Sequence, residues 1–156
     1  MSKLQNMRVI EIPKFRAVSS GLKSIEELFS ENGFEKWKNS NYHLIKQMVY
    51  EQPDFMWEEE DKSVWIWAIK DEVTKEDTAP YEIIEFVGGM FLVATKDEND
   101  DNDQTVNSMF QWIENSDVFE YGNFGMCNMP NGNGAIDKAL GIAQQQVFLQ
   151  VIFRAK

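Results

Sequence analysis

The run IEIPKFRAV from Ile10 and the run IEFVGGMFLV from Ile84 follow one plan: Ile-Glu-apolar, a backbone breaker, an aromatic, then apolar residues, with one residue inserted. A plan used twice in a chain of 156 residues indicates an internal duplication, so the fold must divide into two similar halves. Both runs are rich in β-branched and aromatic residues and read as strands. Their breakers, Pro13 and Gly88-Gly89, do not suit a continuous ladder. Proline donates no hydrogen bond, and paired glycines fit a bulge or a sharp bend. Each long strand, over Arg8 to Ser20 and Tyr81 to Thr95, is therefore expected to kink in its middle.

The segments between them repeat a second pattern. Ser24 with Glu27 three positions on is a capping box for a short helix that Asn32-Gly33 ends. Phe34 to Val49 reads as a longer helix with Phe34, Trp37, Leu44, Ile45, Met48 and Val49 on one face, and Asn39 to Asn41 weaken its middle. Phe55 to Glu59 and Ser63 to Ile69 then form a hairpin around a polar turn; SVWIWAI is apolar on both faces, as in a central strand. Glu72 to Pro80, charged and proline-terminated, reads as a connection. In the second half, a helix over Gln104 to Asn115 follows the acidic loop Asp97 to Asp103. A strand over Val118 to Cys127, a short helix near Ile136 to Ile142 and a closing strand over Gln146 to Arg154 complete it. The expectation is an α+β domain spanning residues 1–156, with pseudo-repeats of strand, helix, strand, strand at about residues 7–70 and 81–154.

Charge narrows the partners. Fifteen basic against twenty-six acidic residues leave a net charge of -11, which repels phosphate backbones and anionic lipid. Cys127 stands alone, so no internal disulfide and no cysteine-rich zinc site can form, and a cytoplasmic setting is expected. No apolar run approaches the ~18 residues of a membrane span. No nucleotide fingerprint, nucleophile elbow or metal spacing is found, and no cofactor is expected. His43 lies in a polar setting, and the acidic run from Asp97 places Asn102 where a calcium loop needs glycine and Ser108 where it needs a carboxylate.

Glu120 is the anomaly. It stands between Phe119 and Tyr121 in a strand whose other neighbours, Val118 and Phe124, are apolar. A carboxylate in low dielectric is costly unless it meets a cation or a hydrogen-bond donor, so it marks a candidate pocket; a solvated strand face is the plainer alternative. Trp65 and Trp67, two apart in a strand, share a face and with Phe55, Trp57 and Tyr121 compose a candidate aromatic wall for flat ligands and cations. Ordinary core packing is the plainer reading for each tryptophan.

Taken in order and spacing, IEIPKFRAV, EFVGGMFLVAT, QWIENS at Gln111 to Ser116, FEY at Phe119 to Tyr121 and the closing QQQVFLQVIF resemble the GyrI-like small-molecule-binding family, the effector-binding domain of AraC-type and MerR-type regulators. The resemblance covers nearly the whole chain. It implies two pseudo-symmetric units whose antiparallel sheets face a central ligand cleft, and an acid in the cleft that receives cationic, aromatic drugs. The matching position here is Glu120. Strand-like sequence starts by Arg8, leaving no helix-turn-helix ahead of it, and the family's common proline after the final helix is absent, so direct DNA binding is not expected. Stand-alone members that hydrolyse strained cyclopropane compounds imply a second class, with Glu120 as general acid or base and Tyr121 as a donor. An inhibitor or adaptor that binds a basic protein through the acidic surface is a third.

Overall fold

Both breakers end strands. In the computed structural model, which describes residues 5–46, 54–97, 100–128, 139 and 144–155, the first long run splits at Pro13 into β1 (Gln5–Ile12) and β2 (Phe15–Ser19). The second splits at Val87-Gly88 into β5 (Glu82–Phe86) and β6 (Gly89–Asp97), with Gly88 at φ 75° and Gly89 at φ 133°, where glycine alone rests without strain. The same two breaks divide the chain into compact units. Lys14–Val87 forms one, here the inserted unit; Met1–Pro13 with Gly88–Lys156 forms the other, the host unit.

The inserted unit contains β2, α1 (Ile25–Leu28), α2 (Phe34–Ser40), β3 (Asp54–Glu59), β4 (Lys62–Ala68), α3 (Lys75–Thr78) and β5. Its antiparallel strands run in the order β3-β4-β2-β5. Glu60 and Asp61, both at positive φ, close the two-residue turn of the β3–β4 hairpin and set its register, with Asp54 opposite Trp67 and Met56 opposite Trp65. Ser24 accepts from the Glu27 N–H as the α1 cap. The longer helix expected to reach Val49 ends at Ser40: the backbone leaves helical geometry at Asn41, Tyr42–Leu44 make one 3-10 turn, and Ile45 bridges to Ile69. Met48 and Val49 lie outside the described residues. The expected connection Glu72 to Pro80 contains α3, because Thr74 and Asp77 form a reciprocal capping box that sequence inspection passed over.

The host unit contains β1, β6, α4 (Asn102–Glu114), β7 (Phe119–Asn128) and β8 (Gln144–Phe153), with antiparallel order β1-β6-β8-β7. Thr105, Met109 and Ile113, four apart, are the buried stripe of α4; Met109 and Ile113 pack on Leu92, Ala94, Val147, Leu149 and Val151. Asp101 caps the helix start, and Arg154 closes its end by donating to the carbonyls of Ile113 (3.0 Å) and Ser116 (2.7 Å). At the acidic loop, buried Lys96 donates to the carbonyls of Asp97 and Asp100, a role for the chain's own cation. The helix expected near Ile136 to Ile142 and the loop before it lie almost wholly outside the described residues. The fold is α+β, with antiparallel sheets carrying helices on one face.

Candidate functional site

Alternation along the hairpin decides where the predicted aromatics go. On β4, Trp65 and Trp67 face the helices and are 4% and 1% exposed. Trp65 lies 5.9 Å from Trp67 between ring centroids, and Phe29 and Phe34 lie 5.3 and 5.7 Å from Trp65. Phe55 and Trp57, on β3, point to the opposite face. There they gather with Phe15 and Phe86: Phe55 stacks on Phe86 at 6.1 Å, Phe15 meets both, and half-buried Trp57 reaches Phe86 at 6.4 Å. Of the single wall expected from Phe55, Trp57, Trp65, Trp67 and Tyr121, the first four thus form two clusters on the two faces of one sheet, since cross-strand partners share a face and Asp54 and Met56 are the residues paired with the tryptophans.

The helix-side cluster holds two groups that sequence inspection missed. Asp54 is fully buried, and its carboxylate accepts from the Trp65 indole N–H at 2.9 Å. Burial pushes its pKa up to about 7, against the opposing pull of the Trp65 hydrogen bond and of Lys38. Lys38, on α2, is 5% exposed and sets its ammonium 4.4 Å over the Trp67 ring, with the Tyr42 ring 5.8 Å away. Burial holds the lysine below its ordinary value, opposed by Asp54 and Glu35. The signal for Asp54 was present in the sequence: a two-residue turn at Glu60-Asp61 places it opposite Trp67.

In the host unit, neighbouring Glu120 and Tyr121 part company. Tyr121 pairs with Val151 and turns to the α4 side, where its ring meets Phe110 edge-on at 4.8 Å and burial raises its pKa. Glu120 pairs with exposed Ile152 on the face away from α4. That face also carries Phe91, Phe124 and Phe148 in edge-to-face contact, with Gln150 opposite Phe91. The Glu120 side chain is 43% exposed and lies 3.9 Å from an Arg154 nitrogen. A bulge between Tyr121 and Gly125 interrupts β7, and a Cβ at Gly122 would strike the Gln150 side chain at 2.9 Å.

His43 is exposed. Among the described residues no group of histidine, cysteine or carboxylate side chains could hold a metal ion, and no helix is long and apolar enough to cross a membrane. An open depression of about 490 Å³ lies at the corner of α3 and β5, beside Lys75, Tyr81 and Glu82; none of the predicted site residues lines it.

No family model and no curated protein matches the chain. Solved structures do. The C-terminal domain of EcmrR is similar over 96% of this chain and 98% of its own, at 12% identity and TM-score 0.62. SAV2435 bound to tetraphenylphosphonium is similar over 95% and 94%, at 10% identity and TM-score 0.59. The chain has the GyrI-like fold. A hydrolase from Listeria innocua is similar over 95% of this chain and 92% of its own, at 13% identity and TM-score 0.61.

Proposed function

We propose that this chain is one effector-binding domain, built of two repeats, that binds cationic aromatic small molecules with Glu120 as the charge partner. The observation that carries the reading is the state of Glu120: a half-exposed carboxylate on an aromatic-rich sheet face, whose ion-pair partner among the described residues stands 3.9 Å away. A contact that long leaves the carboxylate oxygens able to accept a closer cation. The tetraphenylphosphonium carried by SAV2435 supports the ligand class, since it is a cation wrapped in aromatic rings. The net charge of -11 attracts cations and opposes DNA, which suits a cytoplasmic ligand sensor or sequestering protein related to multidrug-binding transcription regulators.

Titration with tetraphenylphosphonium tests this. Glu120→Gln, nearly isosteric, weakens the cation by about 1–3 kcal/mol, or roughly five-fold to 150-fold, and leaves neutral triphenylphosphine oxide unchanged. Equal binding of both ligands by variant and parent refutes the assignment. The similar hydrolase supports a second reading, in which Glu120 activates water against a strained electrophile. Turnover of a cyclopropane substrate that disappears in Glu120→Gln would establish it.

A further inference from the structure

Under α2 the inserted unit has assembled every part of an organic-cation receptor. An indole face and a phenol face, Trp67 and Tyr42, lie 4.4 and 5.8 Å from a positive charge. A buried carboxylate, Asp54, sits beside them, oriented by the Trp65 N–H at 2.9 Å. The charge at the centre is the protein's own Lys38. We propose that this cage is a second cation-binding site, distinct from Glu120, in which the Lys38 ammonium is a tethered stand-in that an organic ammonium ion displaces.

Two observations make the displacement physically reasonable. Tyr42 is 41% exposed, so the cage has a wall at the surface and the lysine has a short way out. A lysine head stripped of water is held against its own hydration, and its depressed pKa shows that its partners do not fully restore what burial removed. Expulsion returns that head to water. An alkylated ammonium loses far less hydration on entering an aromatic cage, which is why such cages favour it. Lys38 serves as a selectivity filter here, because only a cation that outcompetes a covalently tethered one gains the site.

Tetramethylammonium chloride is the probe, with sodium chloride at equal concentration as control. In the unmodified protein, acetic anhydride labelling read by mass spectrometry finds Lys38 protected in sodium and labelled several-fold more in tetramethylammonium, with Lys36 on the same helix as the internal standard. Lys38 labelling that stays flat while tetramethylammonium saturates the protein overturns the proposal. Above pH 8, where Asp54 is ionised, Lys38→Ala binds tetramethylammonium at least ten-fold tighter than the parent by tryptophan fluorescence, and adding Asp54→Asn reverses the gain. A gain indifferent to Asp54 would mean a vacated hole and no cage. The labelling response persists in Glu120→Gln; its loss there would assign the effect to the host-unit site and refute a second one.

Discussion

Each unit places an acid near the start of the strand that follows its helical segment, Asp54 on β3 and Glu120 on β7, and the two meet opposite fates. Asp54 points under the helices, is sealed from water, and is accommodated by an indole N–H and a buried ammonium. Glu120 points away from α4, keeps 43% of its side chain exposed and faces a guanidinium 3.9 Å away that is itself engaged at the end of α4. A strand position is not a chemical environment. One step along a β-strand exchanges a titrating core acid for a solvated one, because successive side chains take opposite faces.

The sharpest way to break this contrast is through pH. The folded-state pKa of Asp54, about 7, lies above its ordinary 3.8, so the folded protein holds a proton that the unfolded chain has released. Stability should be intact below pH 4, fall as pH rises to about 7, and be level with respect to this group above it. A rise of about three units corresponds to roughly 4 kcal/mol. Denaturant melts at pH 4, 5.5 and 8 check this: Asp54→Asn, whose amide oxygen still accepts from Trp65, should remove the slope, and an unchanged slope would place the titration elsewhere. Arg154→Met comes next. Loss of two charged hydrogen bonds at the end of α4 should cost about 1–2 kcal/mol, while tetraphenylphosphonium binds more tightly because Glu120 no longer faces a resident cation. Smallest of all, Glu120→Gln should move the melt by less than about 0.5 kcal/mol at any of these pH values. A larger shift would mean that Glu120 is a structural residue and that the two acids are more alike than their burial indicates.

Much of the architecture was legible because it is written in local chemistry. Pro13 and Gly88-Gly89 announced the strand breaks, Ser24 with Glu27 announced α1, and the unbroken apolar run from Val64 to Ala68 announced a central strand. The small helix α3 was overlooked because its four residues are all polar, and only the cap pair Thr74 and Asp77 betrays it. The site was harder to read. That Trp65 and Trp67 share a face followed from their spacing, whereas the face they share with Phe29, Phe34 and Lys38 depends on which side the helices cover, a tertiary choice that no window of sequence contains. Arg154 carried no signal at all. Its partners are backbone carbonyls of Ile113 and Ser116, forty residues earlier in the chain, give or take two.

The strand breaks carry a consequence for how the protein is made. β1 pairs with β6, Gln5 opposite Thr95, while every residue of the inserted unit lies between them in the chain. On the ribosome the inserted unit is therefore complete, and free to fold, before β6 exists. β1 leaves the exit tunnel well before its partner: it must hold an unpaired edge, with Val9 and Ile10 on it, until a strand more than seventy residues downstream arrives. Arg8 and Glu11 flank those two apolar residues, and charges beside a waiting edge are what keep nascent strands from pairing with one another.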